Sequence, residues 1–297
     1  MLAFMPLASA LVLAPACNHC GQAGLQDSPG TGIASTAGSP RDSEAAPTRG
    51  MWVWGTRARL AQGNGVSELL ESCREAKLNE VYLSIGSVLG DPQLPALVGA
   101  LADAGMRVEA LTGEARWYQP EERPAMLAMV DAVAAYNARV PARSRFVGVH
   151  FDIEPHQLAA NKTNHGFLPA LAETLREGRD HATERGLETS ADLPRFALQE
   201  NGPAFAAAVP RIFVMLYELR DRSSAALTAA SNRVVDGTYA SLAAATNGKI
   251  VVGLSADDYP TELDGMLSAL ETAHHDQSRY AGWAIHDEAR YRTQRRR

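Results

Sequence analysis

The sequence predicts an α/β protein built as a (β/α)8 barrel of the TIM type, on three observations. From residue 50 onward, short apolar runs alternate with longer amphipathic ones, and eight such strand–helix repeats fit into about 245 residues, the usual size of such a barrel. The turn after the first run, Gly55-Thr56-Arg57-Ala58-Arg59, lacks the further glycines with which an open doubly wound sheet cradles a phosphate. The segment Val147-Gly148-Val149-His150-Phe151-Asp152-Ile153-Glu154-Pro155 alternates at period two: Val149, Phe151 and Ile153 share one face, and His150, Asp152 and Glu154 the other. Three titratable groups in a row are costly unless they border a solvated cavity, and a parallel barrel has one at the C-terminal ends of its strands.

The elements follow in order. Gly50 to Gly55 is the first strand, and Val66, Leu69, Leu70 and Cys73 then fall on one helical face, which makes Cys73 a small core residue. Glu80 to Ser84 is the second strand, followed by a helix marked by Leu94, Leu97, Val98 and Leu101. Met106 to Thr112 is the third, followed by Met126, Met129, Val130 and Val133 at the same spacing. Phe146 to Glu154 is the fourth, closed by Pro155, which cannot donate to a ladder. Leu168, Leu171 and Leu175 mark a helix ending near Gly186, and Leu187 to Asp192 is the fifth strand. A short helix from about Leu198 to Ala208 leads to the sixth strand, Arg211 to Tyr217. Ser223 to Thr246 is Ala-rich and predicts a helix in two pieces, interrupted near Gly237. Lys249 to Ser255 is the seventh strand, Leu263, Met266, Leu267 and Leu270 mark its helix, and Tyr280 to His286 is the eighth, with a short last helix after it. His274 and His275 are expected to face solvent.

Residues 1–17 read as an export segment: Leu2 to Leu13 is apolar but short for a membrane span, and Ala14, Pro15 and Ala16 lead to Cys17. This resembles a bacterial lipoprotein signal, which implies lipidation of Cys17, a membrane anchor through it, and residence in the cell envelope, or secretion. Residues 18–49 are rich in Gly, Ser, Ala, Thr and Pro with no hydrophobic period, so they read as a disordered linker before a folded domain of residues 50–297. The net charge of −6 gives no basic surface for nucleic acid. Cys17 and Cys20 have no second pair to complete a zinc site.

The strand ends converge on one mouth. The fourth strand delivers Asp152 and Glu154, roughly 6–7 Å apart at the backbone by strand rise, and their mutual repulsion favours keeping a proton on one of them near neutral pH. The fifth strand ends in Ser190 and Asp192, the sixth in Met215-Leu216-Tyr217-Glu218, and Trp54 and Trp283 lie on the first and eighth. Trp117 and Tyr118 follow the third strand, where loop aromatics often bind ligand. Carboxylates among aromatic rings suit a carbohydrate, whose C–H faces stack on indole. His150, Asp192, Glu218, Trp54, Trp117 and Trp283 are therefore the expected binding residues beside Asp152, Glu154 and Tyr217.

The fourth strand resembles the D-G-x-D-x-D-x-E signature of glycoside hydrolase family 18, the chitinases and related endo-N-acetylglucosaminidases. Gly148, Asp152 and Glu154 match it, while Val147 and His150 replace its first two aspartates. Met215-Leu216-Tyr217-Glu218 resembles the family's Met-x-Tyr-Asp, and Trp283 its eighth-strand tryptophan. The Ser-x-Gly-Gly of the third strand is missing, although Ser84-Ile85-Gly86-Ser87 stands on the second. The resemblance implies retaining hydrolysis of a β-linked N-acetylhexosamine without a cofactor or a protein nucleophile. Glu154 would be the general acid, and the substrate's acetamido oxygen would attack the anomeric carbon. Asp152 would orient the acetamido group, Tyr217 would bind its carbonyl, and Trp283 would lie under the sugar.

The residues leave alternatives open. Asp152 and Glu154 could pair with Arg57, Arg116 or Arg195, Tyr217 and Trp283 could be core filler, and Asp192 a turn cap. A carbohydrate-binding barrel that no longer cleaves fits the replacements at Val147 and His150. A metal-dependent hydrolase such as a phosphodiesterase would use His150, Asp152 and Glu154 as ligands, but three ligands on one strand splay too widely to close on one ion unaided, so no metal is expected.

Overall fold

The computed structural model describes residues 46–235 and 248–296. The segment 1–17, its Cys17, most of the 18–49 linker and the interruption at Gly237 lie outside the described residues. Eight parallel strands close into a barrel in sequence order: β1 (Thr48–Val53), β2 (Glu80–Ser84), β3 (Arg107–Thr112), β4 (Gly148–Phe151), β5 (Glu188–Pro194), β6 (Arg211–Met215), β7 (Lys249–Ser255) and β8 (Tyr280–His286). Thr48 and Arg49, placed with the linker by composition, already pair with Gly282 and Trp283 of β8.

Helices pack outside the strands: α1 (Thr56–Ala61), α2 (Gly65–Glu75), α3 (Leu94–Asp103), α4 (Arg123–Arg139), α5 (Leu168–Thr183), α6 (Arg195–Ala208), α7 (Ser224–Val235), α8 (Leu263–His274) and α9 (Glu288–Arg295). Their apolar faces and the outward residues of the strands form one core, in which Cys73 is buried as expected. His274 is not on the surface. It is fully buried, with Ser231 Oγ 2.8 Å from Nε2 and Gln277 Oε1 2.8 Å from Nδ1, because α8 turns that side against α7.

A second, smaller cluster fills the middle of the barrel: Trp52, Tyr82, Leu111, Phe213, Val251 and Ala284. Gly50 makes room for it, since a Cβ there would stand 2.4 Å from the Tyr82 hydroxyl.

β8 departs from a simple alternation. Ile250 pairs with Tyr280 but Val251 pairs with Gly282, so Ala281 is an extra residue, a β-bulge. Gly282 supports the bulge with a φ of +123°, open to glycine and strained for other residues. Above it Trp283 stands beside outward-facing Val252, while Ala284 and His286 stand beside Gly253 and Ser255 and point inward.

Candidate active site

The β4 ladder ends at Phe151, short of the expected Glu154, but Asp152 N still donates to Thr112 O at 2.9 Å. Gly113 permits that approach, because a Cβ on it would lie 1.7 Å from the Asp152 carbonyl oxygen. His150 is in register with Ser190 and Phe151 with Ala191, so one step further Asp152 lies beside Asp192, both aimed inward. Glu154 follows before the chain turns at Pro155–Gln157. That turn grips its carboxyl: Gln157 Nε2 donates to Oε2, and His156 Nε2 lies 3.4 Å from Oε1.

Below the mouth runs a buried polar chain. Arg211 holds both oxygens of Glu80, at 2.5 and 2.7 Å, and Oε1 of Glu109. Ser190 Oγ donates to the other Glu109 oxygen. The serine proton is thereby committed, so His150 Nδ1, 2.6 Å from Ser190 Oγ, must be the donor in that contact. His150 Nε2 lies 2.8 Å from Asp192 Oδ2, which also accepts from Trp52 Nε1 at 2.9 Å. Trp52 Nε1 also lies 3.1 Å from His150 Nε2, but it has the shorter bond to Asp192 for its proton. A proton on both ring nitrogens therefore satisfies the contacts to Ser190 and Asp192, with Asp192 as the carboxylate.

The electrostatic surroundings agree. Burial alone would push the His150 pKa down, but Asp192 and Glu109 outweigh it and raise it to about 9. Burial would raise Glu109, yet Arg211, His150 and Ser190 hold it below the usual carboxylate range. Burial, then Asp192 and Glu154, push Asp152 well above its ordinary value. Burial and Asp192 raise Glu154 to about 7. Burial and Asp192 thus favour the protonated form of both mouth carboxyls, with the Glu154 pKa close to neutral pH. That combination can deliver a proton to a leaving group.

Among the described residues neither acid pairs with an arginine; Arg57 instead binds Ser87. Asp192 is no turn cap, since its Oδ2 is the end of the buried chain, while Oδ1 is buried without a partner among the described residues.

Tyr217 borders the acids: burial, then Asp192, Asp152 and Glu154, push its pKa well up. Its ring lies 5.1 Å from that of His286. Trp54, 42% exposed, stands at the rim and donates from Nε1 to His286 Nε2 at 3.1 Å.

Four expected binding residues sit elsewhere. Trp283 is buried outside the barrel and donates to Glu271 Oε1 at 2.9 Å, because the bulge sets the inward face of β8. Trp117 is buried in the outer core, and Thr174 Oγ1 of α5 donates to its carbonyl at 3.3 Å. Glu218 is exposed in a left-handed conformation, φ +53°, its N–H held by Asp258 Oδ2 at 2.6 Å. His150 is 0% exposed and lies beneath the acids rather than facing a ligand. Both its nitrogens are taken up, so it has no lone pair to give a metal in this arrangement. Sequence reasoning missed Trp52, Glu109, Arg211 and His286. A charged residue at an inward position of an apolar strand marks Glu109 and Arg211, but nothing local marks His286 as inward.

No protein-family model matches the chain, and no curated protein matches it. Solved structures do. A chitinase from Bacteroides thetaiotaomicron superposes with a TM-score of 0.57 at 11% identity, over 83% of this chain and 91% of that one. A family 18 chitinase from Pseudoalteromonas aurantia gives 0.56 at 10%, over 82% and 94%. The glycoside hydrolase domain of PgaB (BpsB) from Bordetella bronchiseptica gives 0.53 at 9%, over 84% and 96%. The chain has a glycoside hydrolase-like barrel fold. At these identities the likeness is one of architecture.

Proposed function

We propose that this barrel hydrolyses a glycosidic bond next to an N-acetylhexosamine, with Glu154 as general acid and Asp152 assisting. The observation that carries the reading is the pair of carboxyls at the mouth beside Asp192 and Tyr217, where burial and Asp192 favour the protonated forms and raise the Glu154 pKa to about 7. Glu154 gives its proton to the glycosidic oxygen as the C1–O bond breaks. The acetamido oxygen of the same sugar attacks C1 and forms a cyclic oxazolinium ion, so no protein nucleophile is required. Water then opens that ion from the face the leaving group vacated while Glu154, now a carboxylate, takes the water's proton, and configuration is retained. Asp152 accepts the acetamido N–H once its own proton passes to the unpartnered oxygen of neighbouring Asp192. Tyr217 donates to the acetamido carbonyl, and Trp54 offers an indole face to a sugar at the rim.

The test is Glu154→Gln on chito-oligosaccharides. The amide cannot supply the proton, so turnover should fall at least about 100-fold, with binding retained. Unchanged turnover would remove Glu154 from this role, and a wild type that binds without releasing product would make the barrel a carbohydrate-binding protein instead. From the leader sequence alone we also propose export with a lipid on Cys17; a Cys17→Ala variant should then lose incorporation of labelled fatty acid.

A further inference from the structure

Among the described residues, His286 is an inward-facing ring at the mouth that the proposed chemistry does not use. It occupies the last inward position of that strand, beside Ser255 of β7, with its ring 5.1 Å from Tyr217, 5.9 Å from Trp52 and 6.2 Å from Trp54. The contact with Trp54 decides its protonation pattern. An indole nitrogen is a donor only, so at 3.1 Å from Trp54 Nε1 the His286 Nε2 must be a bare acceptor. A neutral imidazole then carries its single proton on Nδ1, the less favoured tautomer of a free histidine. Burial keeps the ring neutral, outweighing the pull of Asp287, Asp192 and Asp257, with Arg290 acting in the same direction as burial. Nδ1 has no hydrogen-bond partner among the described residues, and the ring is only partly covered.

We infer that His286 is a substrate-binding residue, donating from Nδ1 to an oxygen of the sugar in the mouth in a tautomer that Trp54 locks. The inference rests on the reading of the mouth as a sugar site. It gives Trp54 a second task besides stacking: its indole N–H keeps the imidazole donor turned to the ligand rather than to the rim. A sugar hydroxyl or amide oxygen fits this donor, whereas a ligand presenting an N–H there would be refused, since the site has no lone pair at Nδ1 to accept it.

Two measurements test it. In the free wild-type chain, a nitrogen-15 correlation spectrum above neutral pH should show His286 as the Nδ1–H tautomer, and Trp54→Phe should shift it towards Nε2–H. An Nε2–H wild type would overturn the lock. In a Glu154→Gln background, titration with tri-N-acetylchitotriose should weaken about tenfold for His286→Phe, which keeps a ring without the donor. His286→Asn places an amide donor near the position of Nδ1 and should restore most of that loss. Equal weakening by Phe and Asn, or none by Phe, would overturn the donor. A Glu154→Gln parent that does not bind the trisaccharide overturns the ligand half together with the sugar reading, while the tautomer is decided separately.

Discussion

The base and the mouth of the barrel hold the same kinds of residue in opposite states. At the base, both oxygens of Glu80 and both of Glu109 have donors, from Arg211 and Ser190. At the mouth, Asp152 has no side-chain partner and Asp192 Oδ1 is buried without one, among the described residues. The two ends are joined by His150, which shares one hydrogen-bond chain with each. Carboxylates whose lone pairs are all filled hold a structure in place. Asp152, short of donors and beside Asp192 and Glu154, instead favours its protonated form and is available for chemistry.

The largest effect should come from breaking the base. Arg211→Met leaves two buried carboxylates without their cation and should destabilise the fold by about 3–5 kcal/mol, read from denaturant unfolding; a loss near zero would mean that the base is not a paired unit. The next effect sharpens the mouth. Activity should decline as pH rises through about 7, where Glu154 loses the proton it must donate. Asp192→Asn removes the charge that helps keep that proton on, so the descending limb should move to lower pH, at about tenfold in rate per pH unit of displacement once past the limb. An unmoved limb would separate Asp192 from the acid. The smallest effect concerns Trp283. Because its ring lies outside the barrel and bonds Glu271, Trp283→Phe should cost about 1 kcal/mol in a thermal melt and leave kcat/KM essentially unchanged; a collapse of kcat/KM would return it to the sugar site.

Stability should carry its own pH signature through the residue that joins the ends. The folded-state pKa of His150 lies above its unfolded value of 6.5, so its contribution is complete below that value and fades as pH climbs through about 9.

Much of this was legible in the sequence because it depends on period. The repeats located all eight strands, and the alternation around Phe151 put Asp152 and Glu154 on one inward face. What could not be read depends on pairing between distant strands. Ala281 is an ordinary residue in the sequence, and only its register against Ile250 and Val251 makes it a bulge. Trp283 was therefore assigned to the wrong face, and His286 was passed over. The partnership of Glu109, Ser190 and His150 joins three strands and leaves no local pattern beyond an acid in the middle of Arg107–Thr112. Trp117 followed the rule that loop aromatics meet ligands, but its turn folds back onto α5 and buries it.

The extra residue in the last strand also bears on how such a site can diverge. Losing Ala281 would make the strand regular without moving what lies above it, because Tyr280 already stands beside Ile250 and Gly282 beside Val251; the indole would stay outside the barrel and the imidazole inside. A single-codon deletion five positions from the mouth would thus be absorbed where it falls, and every ring above it would keep its face.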